Sequence, residues 1–306
     1  MVGFIRRHKL LSSFLALIVV TVSGMFARAT AIETDLSRRM VLTVSWEPAD
    51  PVNGATVLFS VRSETPLKIL SGRWLDRHVF FNFDADNGAW YGLAGTGLDS
   101  GIGKHNLALD YTFANNKRSS SSHAVAISRG RYPSTKLRVS RKYTEPDAET
   151  LARIKEEQAL KREVFRRISK QRLWKGRFAK PVNDVMTSIF GARRTFNGRV
   201  QSVHQGLDFR AATGTPVQAM NSGEVILAQE LFYEGGFVVI DHGQGLLTMY
   251  MHLSEIKTKE GDRIAKGQEI ALSGGTGRVT APHLHTSVRW QGLYLDPATL
   301  LNLELP

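Results

Sequence analysis

Pro282-His283-Leu284-His285-Thr286-Ser287-Val288 decides how the second half of the chain is read. Apolar and branched residues alternate with imidazoles over this stretch. A period of two is the mark of a strand, in which residues i and i+2 share a face. His283 and His285 then point one way, and Leu284, Thr286 and Val288 the other. Two imidazoles on one face suit a metal ligand beside a proton-transfer group. On its own the pattern is only moderately specific, because His-x-His also occurs on ordinary strands.

Working outward, five of the nine histidines fall between His204 and His285. His204-Gln-Gly-Leu-Asp208 places a carboxylate four residues after an imidazole. Gly206 and the following Gly214-Thr-Pro216 favour an extended segment with a turn over a helix. Tyr250-Met-His252-Leu-Ser254 ends an apolar run. His242, in Asp241-His-Gly-Gln-Gly245, sits in a turn between two strand-like runs and is read as structural. Gly214-Thr-Pro-Val217 followed by Gly223-Glu-Val225 is echoed by Gly261-Asp-Arg-Ile264 followed by Gly267-Gln-Glu-Ile270. Two such glycine turns feeding strands predict a compact, folded-over antiparallel β-structure. Hairpins of this kind also occur in biotinyl or lipoyl carriers, but no lysine here stands in the context that a carrier requires.

The ordered set spanning residues 190 to 300 resembles the lysostaphin-type, LytM-like zinc metallopeptidases, which cut the peptide part of bacterial cell-wall peptidoglycan. The resemblance rests on His204-x-x-x-Asp208, Gly214-Thr-Pro-Val217-x-Ala219, Ile240-Asp-His-Gly243, Tyr250-x-His252-Leu253, Gly261-Asp262 with Lys266-Gly-Gln268, Gly277-Arg278 and Pro282-His-Leu-His285. It covers a little over a third of the chain. It implies His204, Asp208 and His285 as ligands of one zinc ion, and His252 and His283 as the catalytic histidines. The choice of His285 over His283 as the ligand rests on the resemblance alone. Two imidazoles and a carboxylate would leave a coordination position open for water. Arg278 is a candidate contact for substrate carboxylates, beside the plainer alternative of a solvated loop arginine. The implied activity is that of an endopeptidase acting on peptidoglycan cross-links or stem peptides. The alternative is a catalytically inactive module that binds the wall or activates another hydrolase.

Upstream, residues 32–142 read as strands: Val41–Trp46, Thr56–Arg62, a strand starting at Arg77-His-Val-Phe-Phe81, and the alternating Leu107–Phe113. Turn-rich breaks such as Asp86-Asn-Gly88 separate them, which predicts a small β-sandwich. Its isolated His78, His105 and His123 are read as structural. Residues 143–175 change character. From Pro146 to Arg172 there is no glycine and helix formers dominate, predicting a connecting helix of about six turns with Leu160, Val164 and Ile168 in an i, i+4 row. Thus the chain is expected to be mainly β: a β-sandwich-like domain (32–142), a helical linker (143–175) and an antiparallel metallopeptidase domain of the LytM type (176–306). An upstream segment could also mask the metal, with Asn183 or Asn197 as its occupant.

Residues 1–31 carry Arg6, Arg7 and Lys9, then an apolar run from Leu10 to Phe26, then Ala29-Thr-Ala31. This is the anatomy of a secretory signal, or of an N-terminal anchor if it is retained. It places the working part of the chain in the periplasm or cell envelope. The 306 residues contain no cysteine, which excludes disulfides, thiolate metal sites and cysteine nucleophiles. Net charge is +12. The excess lies in residues 1–172, with 27 basic against 16 acidic side chains, and includes Arg129, Arg131, Lys136, Arg138, Arg141 and Lys142 with no acid between them. Such a run is either a solvated surface or an attraction to an anionic envelope polymer or membrane surface. No nucleic-acid-binding motif accompanies it.

Overall fold

The computed structural model describes residues 42–198 and 200–306, and the backbone of Leu17–Ile18 and Ala29–Glu33. The remainder of the expected export segment lies outside the described residues. Among the described residues, no helix is long and apolar enough to cross a membrane.

The principal strands of the upstream domain pair antiparallel. They are Leu42–Glu47, Thr56–Ser63, Leu67–Trp74, Arg77–Asp84, Ala89–Gly95, Gly103–Phe113 and Arg118–Ile127. Arg77–Asp84 joins two sheets. Its first half pairs with Leu67–Trp74 and its second half with Ala89–Gly95. Sharing a strand in this way folds the layers onto one another, and their inner faces meet at Phe59 and Trp74, whose ring centroids lie 5.4 Å apart. The expected alternation holds: Leu107, Leu109 and Phe113 are buried while Asp110 is exposed.

The downstream domain is built on the strand Leu246–Ile256, which pairs with Gly235–Asp241 on one side and with Leu284–Trp290 and Glu269–Ser273 on the other. The two glycine-turn echoes interlock. Pro216–Gln218 pairs with Glu269–Ser273, and Gly223–Leu231 pairs with Arg263–Ile264. Each copy thus supplies the partner that the other lacks.

Three features depart from the sequence reading. The connecting helix is shorter than expected, running over Ala148–Val164, with Asp147 accepting from the Thr150 amide at its start. Its end is set by a tertiary contact: Arg289 donates to the Phe165 carbonyl at 3.1 Å and stacks on the Phe165 ring. Leu160 and Val164 pack on Ile226, Phe237 and Met249, so the helix is committed to the downstream domain. Ile168 lies beyond the helix and is exposed. Second, Ser134–Leu137, assigned upstream from sequence, pairs in parallel with Arg193–Phe196, which in turn pairs with Val200–Val203. Third, the two β domains share one continuous apolar core. Leu295 is fully buried and fills the space beside Gly95, where any side chain would collide with it. Asp296 donates its amide to the Gly54 carbonyl, and the Thr56 amide donates to Thr299 Oγ1.

A core that crosses the boundary predicts shared stability. Truncating Leu295→Ala removes buried contacts and is expected to cost about 2–5 kcal/mol. Urea unfolding followed separately through upstream and downstream tryptophans should show both halves moving together; two independent transitions would contradict a common core.

Candidate metal centre

Strand register brings the first two acceptors together. In the antiparallel pairing of Leu207–Phe209 with Leu284–Trp290, Asp208 stands directly opposite His285. His204 reaches the same point through the turn at Gln205-Gly206. Gly206 is required there by space, since a Cβ would lie 2.3 Å from the Thr286 carbonyl oxygen and 2.6 Å from His285 Nε2. The result is a triangle of His204 Nε2, Asp208 Oδ1 and His285 Nδ1, with sides of 2.9, 2.8 and 3.0 Å. All three residues are buried.

Each imidazole is held by its other nitrogen. His204 Nδ1 donates to the Ile189 carbonyl at 2.7 Å, and His285 Nε2 lies 2.8 Å from Ser287 Oγ. The carbonyl accepts only, so it fixes the His204 tautomer and leaves the Nε2 lone pair facing the centre. Arg194 donates to the second Asp208 oxygen at 2.5 Å and to Ser188 Oγ at 2.9 Å. Three acceptors facing one another in a buried place need a cation or shared protons between them. A tetrahedral ion with bonds of about 2.0–2.1 Å would set its ligand atoms about 3.4 Å apart. Small side-chain rotations cover the difference, and the orienting partners are those that metal-ligating histidines generally have. The residues therefore fit a divalent ion held by two imidazoles and one carboxylate.

His252 and His283 stand beside the triangle with ring centroids 4.9 Å apart. His252 Nδ1 donates to the Thr276 carbonyl at 2.9 Å, and His283 Nδ1 to the Ala281 carbonyl at 2.8 Å. His283 Nε2 comes within 3.6 Å of Asp208 Oδ1. His283 immediately precedes the strand Leu284–Trp290 and makes a single bridge to Gly274, so it shares the expected face with His285. His252 occupies a bulge in Leu246–Ile256 with φ +65°, a conformation that costs a non-glycine residue energy and redirects its side chain.

Electrostatics follow burial and contact. Desolvation would raise the Asp208 carboxyl, but hydrogen bonds and charge from His204 and His285 outweigh it and hold the group well below the usual carboxylate range. Burial pushes His285 down to about 4. It also pushes His252 well below its ordinary value, helped by the neighbouring His285 and His283. The His252 and His285 imidazoles are thus neutral at neutral pH, and the Asp208 carboxyl is ionised.

The site opens into a cleft of about 610 Å³. One wall includes Leu137 and Val139 from the segment after the upstream domain. Arg278 lies in this wall, stacked against Phe196 and Tyr233, so it is not a solvated loop residue. The masking residues expected from sequence are elsewhere. Asn197 is bonded to both backbone groups of Val139, and Asn183 is exposed. His242 is remote from the cleft and structural. It donates to the Ser222 carbonyl and lies 2.8 Å from Thr248 Oγ1, which continues to the Tyr250 hydroxyl. Arg194, Ser188 and Ser287 escaped the sequence reading, and only the Arg193-Arg194 pair between Phe190 and Phe196 gave any signal.

Two imidazoles and a carboxylate beside two further imidazoles are the kind of constellation a metallopeptidase site needs. Residues 202–297 match Peptidase family M23. Peptidoglycan DD-endopeptidase ShyA of Vibrio cholerae is 42% identical over 103 residues, covering 34% of this chain and 23% of that protein. Peptidoglycan DD-endopeptidase ShyB of the same organism is 42% identical over 123 residues, covering 40% and 28%. The chain thus spans about a quarter of the length of these relatives. A crystal structure of a putative peptidase M23 from Pseudomonas aeruginosa aligns at 27% identity with a TM-score of 0.62. It covers 82% of this chain and 94% of that one, so the likeness extends through both β domains.

Two outcomes follow. Arg194→Gln should weaken divalent-ion affinity about 10- to 100-fold by releasing the Asp208 carboxylate, as read by competition with a chromogenic chelator; unchanged affinity would show that Arg194 does not support the carboxylate. His242 is held by burial at about 4 in the fold, against 6.5 when exposed. The unfolded chain then binds the extra proton between those values, so stability should fall as pH drops through that window, by about 3 kcal/mol from this group. His242→Gln should flatten that part of the profile in denaturant melts.

Proposed function

We propose that the chain is an exported zinc metalloendopeptidase that hydrolyses peptide bonds of bacterial peptidoglycan. The observation that carries this reading is the His204–Asp208–His285 triangle beside two further imidazoles at the floor of an open cleft. Two imidazoles and one carboxylate are a donor set that catalytic zinc takes, with a further position open for water, and the match to a metallopeptidase family supports zinc as the ion. Such an ion supplies Lewis acidity, polarising a carbonyl and bringing the pKa of bound water to about 7.

The remaining steps belong to the side chains. With their Nδ1 protons committed to carbonyls, His252 and His283 present Nε2 to the reacting groups. One can accept the proton of the attacking water, and either, once protonated, can hold the developing oxyanion or return the proton to the leaving amine. Burial favours neutral His252 at neutral pH, so its Nε2 carries a lone pair toward the cleft. Arg194 neutralises the far side of Asp208 and keeps that carboxylate from competing for the proton.

An inactive wall-binding module would dispense with some of these groups, whereas all five are in place. Export rests on the three-part pattern of residues 1–31. The exposed Arg129, Arg131, Lys136, Arg138, Arg141 and Lys142 run along the segment that forms one cleft wall. Their charge would draw the enzyme to wall or envelope anions, an attraction weakened by salt.

Incubating the purified chain with defined wall fragments and reading products by mass spectrometry tests the proposal. Cleavage should stop with a chelator and return with zinc. His252→Ala and His283→Ala should each lower kcat by at least about 100-fold with the ion retained, whereas His285→Ala should lose both ion and activity. A fully active His285→Ala would falsify the ligand set.

A further inference from the structure

Four cations line the cleft, and three have an evident occupation. Lys161 of the connecting helix is ion-paired with Glu234, Arg194 with Asp208, and Arg210 is exposed to water. Arg278 differs from all of them. Its guanidinium carbon lies 4.6 Å from the ring centroid of Phe196 and 4.6 Å from that of Tyr233. Among the described residues, no hydrogen bond or ion pair engages the guanidinium. Its backbone is fixed, since the Arg278 amide donates to the Tyr233 carbonyl at 2.9 Å. Gly277, at φ +72°, lets this loop press against residues 233–235, where a Cβ would lie 2.4 Å from the Gly235 nitrogen.

A guanidinium stays charged in such a place, and the aromatic faces offset part of its desolvation. The two rings pack on the cation, and Arg278 lines the cleft with its N–H groups unpaired among the described residues. An edge of rigid, unpaired donors is matched by a planar two-oxygen acceptor, which it binds through a fork of two charge-assisted hydrogen bonds. The same loop carries the Thr276 carbonyl that orients His252, and the Ala281 carbonyl that orients His283. Arg278 therefore sits in the loop that orients both of these imidazoles, and its side chain lines the same cleft as they do.

We propose that Arg278, clamped by Phe196 and Tyr233, is a specificity residue that reads a free carboxylate next to the scissile amide. The inference rests on the peptidase reading and narrows its substrate class. Peptides with a carboxylate beside the cleaved bond are preferred, and neutral bridges such as oligoglycine are poor substrates.

The test uses the full zinc-loaded chain and two probes: a synthetic stem peptide ending in D-Ala-D-Ala as the free acid, and the same peptide as its C-terminal carboxamide. Binding is measured by calorimetry in short titrations, with hydrolysis followed in parallel. The acid should bind about tenfold or more tightly than the amide. In Arg278→Gln the two should bind within about threefold of each other, and Arg278→Lys should fall between. The ratio is internal to each protein, so a partly unfolded variant lowers both affinities without changing it. Equal binding by the unaltered chain, or a preference that survives Arg278→Gln, overturns the proposal. Absence of hydrolysis for both probes would count against the peptidase reading, and the binding ratio would still decide the role of Arg278.

Discussion

Three lone pairs aimed at one buried point are the constraint on which the rest of the downstream domain depends. His204 Nε2, Asp208 Oδ1 and His285 Nδ1 lie within about a hydrogen-bond length of each other. Left to themselves, buried acceptors avoid one another, because each loses water and gains no donor. The fold forces them together through three separate devices. Strand register sets Asp208 against His285, a glycine lets His204 close over them, and a carbonyl with a serine hydroxyl fixes the two rings. Arg194 then balances the carboxylate from behind. A cation or shared protons at the centre offset the cost of that geometry.

The upstream half takes part in this arrangement. Ser134–Leu137 joins the hairpin that carries Arg194 and Phe196, so one strand from before the connecting helix braces the residue behind Asp208 and one ring of the Arg278 clamp. From the other side, the connecting helix places Lys161 on Glu234, next to the Tyr233 that forms the second ring. The cleft wall is therefore assembled from both sides of the presumed domain boundary. The likeness to the Pseudomonas aeruginosa structure covers 82% of this chain, so it includes residues on both sides of that boundary.

Sequence reading recovered what is local or chemically distinctive. Alternation at Leu107–Phe113 and at Leu284–Val288 follows from one buried face, and the order of the histidines is informative because few folds need it. The glycine-turn echo correctly pointed to folded-over hairpins, although their mutual pairing is visible only in three dimensions. What sequence could not show is non-local. Helix-forming composition continues to Arg172, yet the helix ends at Val164, where Arg289 from a distant strand takes the Phe165 carbonyl. Arg194 resembles any other hairpin arginine until its strand is placed beside Asp208. Arg278 likewise acquires its meaning from Phe196 and Tyr233, which lie far from it in the chain.

Whether one divalent ion is held by His204, Asp208 and His285 is open to direct measurement. Anomalous diffraction at the zinc edge, on crystals of the full chain grown with zinc, addresses it most directly. A single strong peak within about 2.0–2.2 Å of His204 Nε2, Asp208 Oδ1 and His285 Nδ1 is the expected result. A peak coordinated instead by His252 and His283, or no peak among these side chains at saturating zinc, would contradict the account.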